Sequence, residues 1–227
     1  MSATSAQNSE FVVSYLTLRQ MIGWAGLLMP VAVRLGAWIF EGIHTTDSIS
    51  AYYYTGMRDV FVSTLVVGGA LIACYRTPAM LDNVLATVAG VAAIGIGLFP
   101  MTPVYAPEIL RKYPRMSDVI AQCYLGHGFI GYHFIFVAAF FALTCYLVLR
   151  RFSAFTPPAP TEQKRLRNKI YTVCGVVMLV AFSTIGFLAL TDRGGSIFWP
   201  ETVAVIAFSV AWLVKGQTYF SLIKDPA

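Results

Sequence analysis

Charged side chains are scarce in this sequence. Of its 227 residues, 12% are charged and 57% are hydrophobic, whereas average soluble domains carry about 25% charged residues. This scarcity argues against an ordinary soluble globular protein. The net charge of +5 is modest, and its distribution along the chain fits membrane topology better than a nucleic-acid-binding surface. The composition therefore favours a membrane protein with several spans and no nucleic-acid partner.

Motifs of several enzyme classes are missing as well. The sequence has no CxxC pair among its four cysteines, no glycine-rich phosphate loop and no serine nucleophile elbow. Redox, phosphoryl-transfer and serine-hydrolase chemistry therefore have no recognisable motif here. The opening residues, MSATSAQNSE, do not show the basic-then-apolar pattern of a cleavable signal. We expect residues 1–18 to form a mobile polar tail.

Long apolar runs are what the sequence does have. A helix needs about 20 mostly apolar residues to cross the hydrocarbon core. Six runs approach that length, and short polar segments join them, so sequential helices are expected to pack antiparallel. The sequence thus predicts an all-α, polytopic transmembrane bundle of six helices in one domain, residues 19–227. The predicted spans are 21–40, 59–75, 83–101, 128–149, 171–190 and 200–222.

Basic residues are concentrated between the fourth and fifth predicted helices. Loops of membrane proteins that face the cytoplasm are enriched in Lys and Arg, so this connection is expected to be cytoplasmic. With six spans, both termini are then cytoplasmic too, and residues 41–58 face outward from a bacterial inner (plasma) membrane. The basic residues of this connection are Arg150, Arg151, Lys164, Arg165, Arg167 and Lys169.

Polar side chains that are costly in a membrane fall towards the predicted outer side. Arg34 lies inside the first apolar run, where an arginine costs several kcal/mol unless it is paired or hydrated. We expect it to pair with Asp59 or Glu41, and we expect residues 48–59, SISAYYYTGMRD, to form the lip of an outward-facing polar pocket. The predicted ligand-binding residues are Arg34, Tyr52, Arg58, Asp59, His127, His133 and Glu201.

Such a pocket has three possible uses. Our leading hypothesis is non-enzymatic binding of a membrane lipid or another small amphipathic ligand. The first alternative is a zinc-dependent intramembrane hydrolase of lipid amide or ester bonds, with His44, His127 and His133 as ligands and Asp59 as the acid–base group. The spacing argues against this alternative. His127 and His133 are six residues apart, whereas two zinc ligands on one helix are typically four residues apart. The second alternative is a proton- or ion-coupled carrier that uses Arg34, Glu201 and Lys215.

Small residues recur every four positions on the third predicted helix. Ala86 and Gly90 form one such series, and Ala89, Ala93 and Gly97 form another. This spacing lets helix backbones approach closely in lipid. We expect it to serve packing within the chain, and a homodimer seam is the alternative.

Four strings carry a family resemblance. SISAYYYTGMRDVFV, HFIFVAAFF, RNKIYTVCG and WLVKG, spread over residues 48–216, resemble a family of bacterial six-helix inner-membrane proteins loosely related to the Frag1/DRAM/Sfk1 and DUF998 groups. The resemblance implies the six-helix architecture and a link to membrane lipid organisation, and it assigns no catalytic residue.

A second resemblance concerns residue types alone. The set Ser48, Asp59, His44, His127 and His133 is similar to the zinc-site inventory of the ceramidase and progestin-receptor membrane hydrolases. That family has a Ser-x3-His pair, a closing His-x3-His pair and a seventh helix. Here Ser48 is followed at that spacing by Tyr52, and the other two features are missing.

Overall fold

The structure is a computed structural model that describes residues 3–101, 131–154, 159–191 and 196–217. Every regular element in these ranges is helical, which confirms the predicted all-α class. A 3₁₀ helix, Ile49–Tyr54, follows the first α-helix, and a π-helical turn, Leu147–Arg151, continues the fourth. The described α-helices are α1 (Ala3–Glu41), α2 (Arg58–Ala73), α3 (Met80–Leu98), α4 (Tyr132–Tyr146), α5 (Glu162–Thr191) and α6 (Phe198–Lys215).

In the described part of the chain, five helical segments are long and apolar enough to cross a membrane. They lie in α1, α3, α4 with its π-helical turn, α5 and α6. The remaining helix, α2, has 16 residues and spans about 24 Å, which is short of the hydrocarbon thickness. The chain is therefore a multi-pass helical membrane protein. Five of the six predicted spans have the length of a membrane-crossing helix in the described part of the chain.

Two helices extend well beyond their apolar runs. The first begins at Ala3, although we predicted a span from residue 21 and a tail before it. The fifth begins at Glu162, ahead of the predicted residue 171. Residues 3–22 contain no Pro or Gly, so the backbone meets no helix breaker where the apolar run stops. Residues 3–18 are thus helical and continuous with the first span, while their mobility stays a prediction.

The helices form a ring in which α1 packs against both α2 and α6. Around the ring, α2 packs on α3, α3 on α4, α4 on α5, and α5 on α6. The Arg19 guanidinium donates to the Lys215 carbonyl over 3.2 Å, and the Gln20 amide donates to the Gly216 carbonyl over 2.9 Å. The start of the first span therefore lies beside the end of the last.

The two ends of this ring differ in their polar contacts. At one end, Arg151 forms an ion pair with the buried Asp82 at the start of α3. At the other end, Glu201 in the first turn of α6 contacts the segment that follows α1. We name these the Arg151 end and the Glu201 end. Arg19 of α1 and Gly216, which follows α6, both lie at the Arg151 end.

The small-residue series of α3 packs inside the molecule. Ala86, Ala89 and Ala93 are at most 2% exposed. A Cβ built on Gly69 of α2 would lie 2.6 Å from the carbonyl oxygen of Gly90, closer than real Cβ atoms approach. The expected packing within the chain is confirmed, because these small residues let α2 and α3 touch backbone to backbone.

Candidate functional site

A cavity of about 430 Å³ lies between α1 and α6 near the Glu201 end. Several of its side chains are about half exposed, which opens the cavity to the outside of the bundle. We call it the Arg34 groove, because Arg34 is the cation among the described residues that line it. These residues are Pro30, Val31, Arg34, Leu35, Trp38, His44, Phe198, Trp199, Thr202 and Ile206.

Arg34 is held by a backbone carbonyl and by aromatic rings. Its Nε–H donates to the His44 carbonyl over 3.3 Å. The guanidinium carbon lies 5.2 Å from the ring centre of Trp199 and 5.8 Å from that of Phe198, which is within cation–π range. Among the described residues, Nε is the one nitrogen of Arg34 with a hydrogen-bond partner. Within the described part of the chain, its two terminal nitrogens therefore keep their donors for a ligand or water.

The expected pairing of Arg34 with Asp59 or Glu41 is wrong. Glu41 instead accepts a hydrogen bond from the Gly56 backbone N–H. Asp59 is exposed in the first turn of α2, where the helix dipole stabilises a negative charge. Glu41 and Asp59, the two predicted partners of Arg34, therefore interact with the backbone near their own positions.

Glu201 fixes the segment between α1 and α2 to the start of α6. Its carboxylate accepts from the Ser48 hydroxyl over 2.8 Å and from the Ile49 backbone N–H over 2.6 Å. The Asp47 carbonyl accepts from the N–H groups of Ile197 and Phe198 over 2.8 and 3.0 Å. Glu201 thus acts as an acceptor at the start of the 3₁₀ helix and does not line the Arg34 groove.

His133 of α4 also holds the segment between α1 and α2. Its Nδ1 lies 2.9 Å from the Phe99 carbonyl oxygen and its Nε2 lies 3.0 Å from the Ser50 hydroxyl. A carbonyl only accepts, so Nδ1 carries the proton and Nε2 accepts from Ser50. His133 is buried, and both of its ring nitrogens are occupied.

The side chains of Tyr52 and Tyr53 pack into the bundle beneath their own backbone segment and do not form the lip of a pocket. Tyr52 and Tyr53 are at most 3% exposed. The Tyr52 ring meets the Phe198 ring edge-on at 6.2 Å. The Arg58 guanidinium lies 4.3 Å from the Tyr53 ring centre and donates to the Tyr53 hydroxyl. Residues 48–59 therefore cap the end of the bundle, because their aromatic rings gain more from burial than from contact with headgroups.

The metal-site hypothesis finds little support in the described residues. They contain no group of three or more His, Cys, Asp or Glu side chains arranged to hold a metal ion. His44 is exposed on the Arg34 groove, and His133 would have to give up Ser50 to bind a metal. His127, the third predicted ligand, lies outside the described residues.

The carrier hypothesis needs a polar path from Glu201 to Lys215. These residues stand at opposite ends of α6, about 21 Å apart along its axis. Lys215 donates to the Phe152 carbonyl over 2.8 Å at the Arg151 end. Ser209, which lies between them, donates back to the Val205 carbonyl. Each of these three side chains therefore forms its hydrogen bonds with its immediate neighbours in the structure.

The sequence patterns did not predict the tryptophan side chains that line the groove. Trp38 and Trp199 are about half exposed and line it from α1 and α6. Of the predicted site residues, Arg34 and His44 line the groove with them. The signal was weak because each tryptophan alone fits an interfacial aromatic belt, and only the packing of α1 on α6 brings them together.

No protein-family model, no curated protein and no solved structure matches this chain. Both family resemblances stay predictions, so function has to be inferred from the site.

Proposed function

We propose that this protein binds a lipid or another small amphipathic ligand in the Arg34 groove, without catalysing a reaction. One observation carries the proposal: a cavity of about 430 Å³, open to the outside of the bundle, places a guanidinium among largely apolar walls. Ligand sites typically combine such walls with a few polar groups that fix orientation, at volumes of about 300–1,000 Å³.

Binding suits the polar groups of the groove better than hydrolysis. The Thr202 hydroxyl already donates to the Phe198 carbonyl over 2.7 Å, and His44 lies exposed at the rim. An arginine guanidinium is a permanent cation in proteins, so Arg34 is a binding group and a poor acid–base catalyst.

We further propose six spans, with α2 as the short one, and a cytoplasmic Arg151 end. The basic connection at residues 150–169 supports this orientation. The Arg34 groove then opens towards the outer leaflet of a bacterial inner membrane. An exposed tryptophan pair near the Glu201 end, Trp38 and Trp199, fits the depth of a membrane interface.

A groove-filling substitution tests ligand binding. Val31 is 53% exposed and lines the groove, whereas Val67 on α2 is 54% exposed and is not among the groove's lining residues. We expect native mass spectrometry of purified protein to show a co-purifying lipid that Val31→Trp loses and Val67→Trp keeps. Equal lipid occupancy in the two variants would contradict a binding role for the groove.

A further inference from the structure

We infer that the ligand of the Arg34 groove is a single-chain amphiphile with a carboxylate head, that is, a long-chain fatty acid. This inference rests on the proposed function and names its ligand class. Three features of the groove support it: the Arg34 donors that no described residue occupies, the polarity of its walls along the membrane normal, and its volume.

The charge of the groove calls for an anion. Arg34 is permanently cationic, and the described lining residues contribute no carboxylate to balance it. The bond from Nε–H to the His44 carbonyl fixes one edge of the guanidinium, and the Trp199 ring lies 5.2 Å from its carbon. The remaining donors form a planar fork that matches the two oxygens of a carboxylate.

The walls of the groove change from amphipathic to apolar with depth. Trp38 and His44 lie towards the Glu201 end relative to Arg34, and both carry polar ring atoms. Pro30 is about 6 Å deeper along α1, and Ile206 is about 12 Å deeper than the start of α6. A head bound at Arg34 would therefore send its chain along apolar side chains towards the membrane centre.

The volume of the groove matches one acyl chain more closely than two. At about 30 Å³ for each water-sized group, a cavity of about 430 Å³ holds roughly fourteen such groups. That is enough for a carboxylate and most of one long chain. A phospholipid, with a larger head and two chains, would leave much of its surface outside the groove.

The test compares probes on unaltered, delipidated, full-length protein. Native mass spectrometry is titrated with oleate, with oleyl alcohol and with a two-chain phosphatidylglycerol. A hydrogen-bonded charge pair contributes about 1.5–3 kcal/mol, which is tenfold or more in affinity. We expect oleate to bind one per chain, and the alcohol, with the same chain and no charge, to bind at least tenfold more weakly.

Variants then assign this preference to Arg34. Arg34→Gln is expected to weaken oleate binding about tenfold or more and to leave oleyl alcohol unchanged. The matched control is Arg76→Gln, because Arg76 is exposed at the Arg151 end and contacts backbone carbonyls there. Arg34→Lys keeps the charge and loses the fork, so we expect an intermediate affinity.

The outcomes separate this inference from the proposed function. Equal binding of oleate and oleyl alcohol, or undiminished oleate binding by a folded Arg34→Gln variant, overturns the carboxylate assignment. Tighter binding of phosphatidylglycerol that Val31→Trp abolishes also overturns it, and leaves the groove as a lipid site. If Val31→Trp binds every probe and every co-purifying lipid as the unaltered protein does, both proposals fail.

Discussion

Single residues at the Glu201 end show how a membrane protein satisfies costly polar groups. Glu201 and His133 come from different helices, and both hydrogen-bond to the short segment Ser48–Ser50. Ser48 also accepts from the Ser50 N–H and so caps the 3₁₀ helix. The Glu201 carboxylate and the His133 ring are thus matched to donors and acceptors, because an unsatisfied polar group in a low-dielectric interior costs several kcal/mol.

Replacing Glu201 by Ala should destabilise the protein. The change removes the acceptor of the Ser48 hydroxyl and the Ile49 N–H, and we expect a loss of about 1.5–3 kcal/mol, typical of a hydrogen bond to a charged group. Thermal unfolding in detergent measures it. Asp59→Ala is the control, since Asp59 is an exposed carboxylate at the same end.

A double variant distinguishes the specific bond from general damage. If the Ser48–Glu201 contact carries the effect, the losses in Ser48→Ala and Glu201→Ala will not add in the combined variant. Additive losses, or equal melting temperatures for Glu201→Ala and Asp59→Ala, would show that the capping bonds contribute little.

At the scale of elements, the α2–α3 hairpin depends on closely packed backbones. Gly69 on α2 faces the carbonyl of Gly90 on α3. At the preceding position of α2, a Cβ built on Gly68 meets nothing within 4 Å. Two adjacent glycines of one helix therefore differ in their packing role. Neither the composition of the helix nor the spacing of its glycines predicts this difference.

This difference gives a matched pair of substitutions. Gly69→Ala should force α2 and α3 apart and lower stability by about 1–3 kcal/mol, as overpacking does. Gly68→Ala should be neutral or slightly stabilising, because alanine favours the helix. Unfolding in detergent compares them, and a similar effect of the two changes would refute the close contact.

At the scale of the whole molecule, the ring of helices gathers three cations from distant parts of the sequence at one end. Arg19, Arg151 and Lys215 all make their contacts at the Arg151 end. Cys74, at the end of α2, is exposed there, whereas Cys145 and Cys174 are buried. Cys74 is thus a natural reporter for which side of the membrane this end faces.

Thiol labelling tests the proposed orientation. In a Cys123→Ser background, we expect a membrane-impermeant maleimide to leave Cys74 unmodified in intact spheroplasts and to label it once the membrane is disrupted. A second protein, with Cys74→Ser and His44→Cys added to that background, should label in intact spheroplasts because His44 is exposed at the Glu201 end. The opposite pattern would invert the topology.

The amino-acid sequence by itself determined the helical class, the membrane location and the positions of most spans. Apolar runs must be buried in lipid, and a helix satisfies its own backbone there, so these properties depend on local sequence. Arg34 and His44 could be predicted as site residues for a related reason, since a polar group in or beside an apolar run always needs a partner.

Only the tertiary structure decided how the polar residues divide between structure and site. Glu201, His133 and Tyr52 became part of a buried cap, while Arg34 and His44 joined Trp38 and Trp199 on the groove. The physical reason is that partners for buried donors and acceptors come from segments far apart in the chain. Which segments meet is set by helix packing around the ring, and periodicity along one helix carries no information about it.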